Sequence, residues 1–311
     1  MGNYVALATD MTSLPIDYDM PLLLEACQAR GLRAEICSWE DPEIDWGGFD
    51  AVLLRSPWSY VEQLPRFLSW CERVTAVTHL LNPLPVVRWN LDKSYLGDLD
   101  AAGVPVVPSS FVAPEADPAD ALRAFLARHP EAGEYVVKPA VGAYSRDVQR
   151  YSRGQEADAT RHIAKLLQQG CDALIQPYLD AIDRDGETDL VYFDGVYSHA
   201  IRKRALLLPD GTVDAPTQDA RTARDATEDE RAVAVAALAA VVDRLELDRP
   251  LLYGRVDLIR DGDGRPVLLE LEVCEPSLSM PFAKGSAARF AEAIAVRLED
   301  LAETDRDRSD R

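Results

Sequence analysis

The chain has 311 residues, 47% of them hydrophobic and 28% charged, which is the composition of a soluble globular protein with room for two or three cores. Its formal charge of -20 excludes a general affinity for nucleic acid or an anionic membrane, so any anionic ligand must be held by a local cluster of cations. No apolar run is long enough to span a bilayer and the start MGNYVALATD lacks the basic n-region of a signal peptide, so a cytoplasmic protein is expected.

YVALATD (4–10) reads as a short strand ending at Thr9 and Asp10, and residues 19–30 have a helical periodicity that Gly31 stops. RAEICSW and FDAVLLRS predict two more strands, followed by a helix over 60–73 and a strand near HLLNP. Such alternation implies a small parallel sheet with helices on its faces, whose ligands sit beyond the carboxyl ends of the strands. Those ends carry Thr9, Asp10 and RSPWSY (55–60). NLDKSYLGDLDAAGVPVVPS (90–109) predicts a helix and a Gly-Val-Pro turn into an extended segment, closing an N-terminal unit at 1–109.

A second unit, 110–180, opens with a Pro-rich loop, continues with a helix at 117–129 and then reads EYVVKPAVGAYSRDVQRY. A third, 181–300, has strands at 189–193, 197–204, 251–260 and 266–273, with an Ala-rich helix at 228–245 between the two pairs. Residues 301–311 mix charges without an apolar stripe and predict a disordered tail. Cys27, Cys37, Cys71, Cys171 and Cys274 are odd in number without C-x-x-C spacing, so reduced thiols are expected; His79, His129, His162 and His199 form no zinc pattern.

The last two strands carry the clearest chemistry. In LLELEVCEPSL (268–278), Glu270 and Glu272 share one face while Leu269, Leu271 and Val273 take the other. Adjacent carboxylates repel unless a cation lies between them. A two-residue turn at Asp263-Gly264 would set Asp257 opposite Glu270 and Arg255 opposite Glu272. The resulting three-carboxylate patch suits Mg²⁺ with a nucleotide phosphate completing its shell, although a solvent-facing sheet surface with chance charges has the same residue types.

Lys138 ends an apolar strand before a loop, a position fit for closing over polyphosphate and equally fit for a lysine snorkelling off a strand. Neither a P-loop nor a G-x-G-x-x-G fingerprint occurs. Residues 175–179 could present backbone groups to a planar base, with Glu187 accepting from ribose hydroxyls. Arg202, Lys203 and Arg204 are dense enough to suggest an anion site, a solvated cationic edge being the ordinary explanation.

In this order the features resemble the ATP-grasp superfamily from YVALATD to about residue 298. LLELEVCEPSL resembles the E-x-N-x-x-x-P-[ST] metal strand, with Glu270 at the Glu position, Pro276 and Ser277 as the terminal pair, and Glu272 where Asn is usual. That departure keeps a ligating oxygen and adds a negative charge. GRVD resembles the family's R-x-D, which implies Asp257 as a metal ligand and Arg255 as a clamp on a developing acyl phosphate. Lys93 and Lys138 fall at the two nucleotide lysines, and IQPYLDAI resembles the adenine hinge, implying Gln176, Tyr178 and Leu179 at the base and Glu187 at the ribose. The glycine-rich loop keeps only Gly142, so Ser145 or Arg146 is expected to help hold phosphate.

The resemblance implies an α/β (α+β) ATP-grasp fold, an N-terminal parallel α/β domain and two α+β subdomains clasping ATP, with one or two Mg²⁺ ions or Mn²⁺ in their place. It also implies carboxylate activation as an acyl phosphate and attack by nitrogen, with charge neutralised by Lys93, Lys138, Arg255 and the cations Arg202, Lys203 and Arg204. RSPWSY, NLDKSYLGDL, YSHAIRKR and ELEVCEPSLSM are similar to the O-ureido-serine cyclo-ligases of D-cycloserine biosynthesis. This implies ring closure by the substrate's own aminooxy nitrogen, with loss of CO2 and ammonia beside ADP and phosphate. Arg55, Ser56, Trp58 and Tyr60 are then expected at the acceptor pocket together with Ser277. Arg55 would pair with a carboxylate and an aromatic would wall a small amino acid; a loop anchored by one buried aromatic is the competing reading. An intermolecular amino-acid or peptide ligase is the first alternative. A nucleotide-binding scaffold without turnover is the second, against which the presence of all three acids argues. A homodimer is compatible with the superfamily, though no self-complementary patch is readable.

Overall fold

The computed structural model describes residues 3–143, 145–208, 212–214 and 217–309. Strand β1 (Tyr4–Thr9) is buried at five of its six positions, the pattern of a strand covered on both faces. It leads into α1 (Met20–Arg30), which Gly31 ends in a left-handed conformation at φ 85°. Then follow β2 (Arg33–Ser38), β3 (Ala51–Ser56), α2 (Leu64–Thr75), β4 (His79–Leu81), α3 (Leu84–Asn90) and α4 (Tyr95–Ala101). The four strands form a parallel sheet in the order β2-β1-β3-β4. The helix expected from residue 90 is split: residues 91–94 form a turn between α3 and α4, and Lys93 stands at the break.

The second sheet is antiparallel. Its elements are β5 (Ser110–Val112), α5 (Pro118–Arg128), β6 (Glu134–Pro139), β7 (Gln149–Ser152), α6 (Glu156–Gln168) and β8 (Ala173–Pro177), in strand order β5-β8-β6-β7. Tyr135 and Val137 face a core made with Phe125 of α5 and Ile163 of α6, so the alternate residues Val136 and Lys138 turn to the opposite face. Sequence reading had no helix at α6, although Ala159, Ile163, Leu166 and Leu167 follow helical spacing there.

The third sheet uses α7 (Ala181–Asp185), β9 (Glu187–Phe193), β10 (Val196–Lys203), β11 (Arg221–Arg224), α8 (Glu228–Arg244), β12 (Tyr253–Arg260) and β13 (Pro266–Glu272). Its order is β11-β10-β9-β12-β13, antiparallel throughout. The β12–β13 hairpin differs from the two-residue turn expected. Asp261 N–H donates to Arg265 O at 2.9 Å and Gly264, at φ 78°, donates to Asp261 O at 3.0 Å, which makes a longer loop. A register shift between Asp257 and Leu258 then compensates, leaving Leu269 as the extra residue. The expected pairs Asp257–Glu270 and Arg255–Glu272 are therefore formed. A one-residue slip without that bulge would send both glutamates to the wrong face.

The last helix, α9 (Ser286–Ser309), corrects the expectation of a disordered tail at 301–311. Leu301 packs on the core and Arg306 Nε donates to Ala302 O at 3.0 Å, so helix continues through Ser309; the remaining two positions lie outside the described residues. The core under α9 joins Leu7 and Leu53 of the first sheet to Phe193 and Tyr253 of the third, with Phe193 and Phe290 stacked at 4.5 Å. The first and third sheets thus share one core. No helix among the described residues is long and apolar enough to cross a membrane.

Strand β13 lies at the sheet edge, where Leu268 pairs with the backbone of Pro105 and Val107 and side chains of the first unit take further backbone groups. Leu271 N–H donates to Tyr95 Oη at 2.9 Å, Asn90 Nδ2 donates to Leu271 O at 2.8 Å, and Val273 N–H donates to Asn90 Oδ1 at 2.9 Å. Asn82 joins three more groups: its Nδ2 donates to Tyr253 O and Val273 O at 2.9 and 2.8 Å, and its Oδ1 accepts from Leu252 N–H at 2.8 Å. Asn82→Ala would leave those buried groups unpaired at a cost of about 3 kcal/mol. The expected outcome is an apparent melting temperature lower by about 5 °C or more in a thermal scan. An unchanged scan would show that the edge is held by other contacts.

Candidate active site

The three sheets enclose a cavity of about 650 Å³. Glu270 and Glu272 of β13 border it and Asp257 of β12 is buried beside them, each with a carboxylate oxygen within 4.8 Å of the others. A second group, Glu187 and Asp189 of β9 with Asp257, meets the same limit. Among the described residues, both oxygens of the buried Asp189 lack a hydrogen-bond partner. A crowd of hard oxygen donors with orphaned atoms fits a divalent cation.

The protein supplies part of the opposing charge. Lys93 Nζ sits 2.9 Å from Glu270 Oε1 and 3.1 Å from Gly142 O. Arg255 grips Asp257 with two hydrogen bonds of 2.8 and 2.7 Å, touches Glu272, and donates to Ser277 O at 2.9 Å. Lys203 pairs with Glu187 and lies 3.9 Å from Asp189 and 4.0 Å from Asp257. Burial would raise Glu270, but Lys93 and Lys138 outweigh it and hold the carboxyl at about 2. Glu272 is pushed up to about 8 by burial and by Asp257 and Glu270, against Arg255. Glu187 rises to about 7 through burial, with Asp189 and Asp257 opposing the help of Lys203.

Lys138, at the end of β6, is buried and falls to about 8 because burial and the neighbouring Lys93 and Lys203 disfavour its charge more than Glu270 favours it. Among the described residues it makes no ion pair, unlike Lys93 and Lys203. A cation kept short of anions and turned into a cavity suits a phosphate.

At the other wall stand Gln176, Tyr178 and Leu179, which close the strand β8 and border the cavity. The Arg150 guanidinium lies 3.6 Å over the Tyr178 ring while pairing with Glu134 and Asp183, so the ring is fixed. Gly142 and Ser145 also border the cavity. A Cβ on Gly142 would meet Pro139 at 3.0 Å, and Ser145 takes φ 53°. Arg146 reaches across to Glu62 at 2.7 Å.

Other expectations need correction. Arg202, Lys203 and Arg204 do not form one anion site. Strand alternation turns only Lys203 inward: exposed Arg202 donates to Arg184 O at 2.5 Å, and Arg204 pairs with Asp214 at 3.3 Å. Arg55 is fully buried below the cavity rather than at the acceptor pocket, donating to Pro276 O at 3.2 Å with Asp19 at 3.9 Å. Ser56 is also buried, its Oγ 2.8 Å from Thr9 Oγ1. Trp58, Tyr60 and Ser277 do border the cavity. Glu187, expected at a ribose, faces Lys203 and the metal-ligand candidate Asp257.

Sequence reading assigned no role to Asp189, Glu275, Tyr18 or Asp19. Asp189 lies two residues after Glu187 on one strand, so alternation was a usable signal. Asp19 had none: it accepts from the N–H groups of Leu278, Ser279 and Met280 at 2.6, 3.1 and 2.7 Å and so shapes the loop after β13. Tyr18 Oη lies 2.7 Å from Ser277 Oγ.

Comparison with known proteins agrees with this architecture. Residues 5–82 match the family described as D-cycloserine synthetase DcsG, N-terminal domain. The cycloserine biosynthesis protein DcsG of Streptomyces lavendulae is 59% identical over 294 residues, covering 94% of this chain and 98% of that protein. The chain belongs to the D-cycloserine synthetase DcsG family. The crystal structure of D-cycloserine synthetase DcsG superposes with a TM-score of 0.93 at 59% identity, over 95% of this chain and 99% of that one. The D-alanine–D-alanine ligase of Bacillus anthracis matches at TM-score 0.66 and 14% identity, over 98% of this chain and 99% of its own. The ATP-grasp ligase PsnB, complexed with Mg and ADP, matches at TM-score 0.64 and 17% identity, over 96% and 100%. These two establish the ATP-grasp fold, and the DcsG family membership makes the chain a ligase.

Burial and the neighbouring acids favour a proton on Glu272, which a divalent ion held by Asp257, Glu270 and Glu272 would have to displace. Magnesium–nucleotide binding at pH 7 should therefore release roughly one proton, and affinity should rise with pH towards 8. Calorimetry in two buffers of different ionisation enthalpy reads this directly. Equal heats in both would mean that Glu272 is already ionised.

Proposed function

We propose that this chain is the ATP-dependent cyclo-ligase that converts O-ureido-D-serine to D-cycloserine in the cytoplasm. The observation that carries the reading is one cavity bordered by two acids of a three-carboxylate cluster, by an ammonium without an ion-pair partner among the described residues and by an aromatic-walled end, in a chain 59% identical to a cycloserine biosynthesis protein over nearly its whole length. The overall change is O-ureido-D-serine + ATP + H2O → D-cycloserine + ADP + phosphate + CO2 + NH3.

Asp257, Glu270 and Glu272 would hold magnesium, which when bound neutralises phosphate oxygens and orients the γ-phosphate. Lys138 and Lys93 add fixed positive charge at the phosphates, Lys138 being the less compensated of the two. Gln176, Tyr178 and Leu179 provide the edge against which the base lies. The substrate carboxylate attacks the γ-phosphate and becomes an acyl phosphate beside Arg255, whose guanidinium is already oriented by Asp257 and Ser277 O. The aminooxy nitrogen then uses its lone pair to form the C–N bond. Phosphate leaves with the electron pair of the C–O bond and takes up the nitrogen's proton, and hydrolysis of the carbamoyl group yields CO2 and ammonia.

Both reacting groups belong to one molecule, so the protein needs to fold the substrate rather than capture a second one. Purified protein with Mg²⁺-ATP and O-ureido-D-serine alone should release phosphate and form D-cycloserine in equal amounts. Release that begins only when a second amino acid is added would instead identify an intermolecular ligase. Glu270→Gln should lower turnover at least ~100-fold with an unchanged thermal scan, since it removes charge from the ion site without a cavity. Normal turnover by that variant would overturn the assignment of the ion site.

A further inference from the structure

Glu275 borders the cavity three residues beyond Glu272, between the metal-ligand candidates and the rings of Trp58 and Tyr60. Its position is fixed from both sides of the backbone: Trp58 Nε1 donates to Glu275 O at 2.8 Å and Arg55 donates to Pro276 O at 3.2 Å. Burial raises its carboxyl, and the neighbouring Cys274 thiol and Tyr60 hydroxyl, both neutral, work against that rise. Glu187, Asp257, Glu270 and Glu272 each meet a cation, whereas Glu275 makes no ion pair among the described residues. The nearby Lys93 is engaged by Glu270 and Gly142 O. Glu275 also falls outside both groups of acids close enough to share an ion. A carboxylate aimed into a binding cavity without a cation of its own is matched by a cation on the ligand.

Resting on the function proposed above, we propose that Glu275 binds the α-ammonium of the amino-acid substrate, with Trp58 and Tyr60 as the wall. The substrate carries two nitrogens able to attack an activated carboxyl. Attack by the aminooxy nitrogen closes a five-membered ring. The α-amine could close only a strained three-membered ring on its own acyl group, so its accessible reaction is with a second activated molecule, giving a linear by-product. Bound to Glu275 as an ammonium, that nitrogen has no lone pair to offer. One contact thus selects amino acids and protects the intermediate.

The experiment compares O-ureido-D-serine with its deamino analogue, 3-(ureidooxy)propanoate, by steady-state phosphate release. Wild type should favour the amino acid by roughly 10- to 100-fold in kcat/KM, the usual worth of a charged hydrogen bond. Glu275→Gln should lose most of that preference through a raised KM for the amino acid, keep its KM for ATP, and process the analogue about as well as wild type. Glu275→Asp should recover part of the preference. Equal losses on both compounds, or a loss restored by excess magnesium, would overturn the assignment. If wild type is inert towards O-ureido-D-serine, the proposed function falls and this inference falls with it.

Discussion

Five carboxylates, Glu187, Asp189, Asp257, Glu270 and Glu272, crowd one face of the third sheet, and three side-chain cations stand against them. Unpaired negative charge at such spacing cannot be buried without cost. Lys203 and Arg255 answer it from within the same sheet, and Lys93 reaches in from the first unit. The remaining excess is negative, which fits the proposed role of these acids in holding a divalent ion with nucleotide. Glu270 near 2 and Glu272 near 8 express the same imbalance on one face of one strand: one acid has its ammonium, the other is left with too little positive charge.

Much of the surrounding structure serves to place that strand. Asn90 and Tyr95, with the backbone of Pro105 and Val107, hold the outer edge of β13 and Asn82 holds the residue after it, so Glu270 and Glu272 cannot shift without breaking hydrogen bonds to the first unit. Beyond the strand, Asp19 collects three backbone N–H groups and Arg55 takes a carbonyl, which set the loop carrying Glu275 and Ser277. The second sheet is tied in at Lys93, whose N–H donates to Ala140 O at 2.9 Å while its side chain reaches Gly142 O. One lysine therefore senses both the acids and the loop that would cover phosphate.

The hairpin acids were readable because strand alternation and a short turn leave few registers. The turn itself was misread, and the right pairs survived only because a bulge at Leu269 absorbs the longer loop. Alternation also carried the information that Lys203 opposes Arg202 and Arg204, but charge density along the chain masked it. For Arg55 no local pattern distinguishes a surface cation from one fully buried against Asp19, since its partners lie more than two hundred residues away in sequence at Pro276 or on another element. Element order suggests three units, and the strands form three sheets. The shared core of the first and third sheets does not follow from that order, because α9 returns to pack on α1 from the far end of the chain.

The central claim is that the acids of β12 and β13 gather one divalent ion against nucleotide phosphate. It is tested most directly by a crystal structure with Mn²⁺ and a non-hydrolysable ATP analogue, using anomalous scattering to locate the metal. The account requires a peak bounded by Asp257, Glu270 and Glu272, with Lys138 on a phosphate oxygen. A nucleotide bound without metal at those three carboxylates, or a peak placed elsewhere in the cavity, would contradict it.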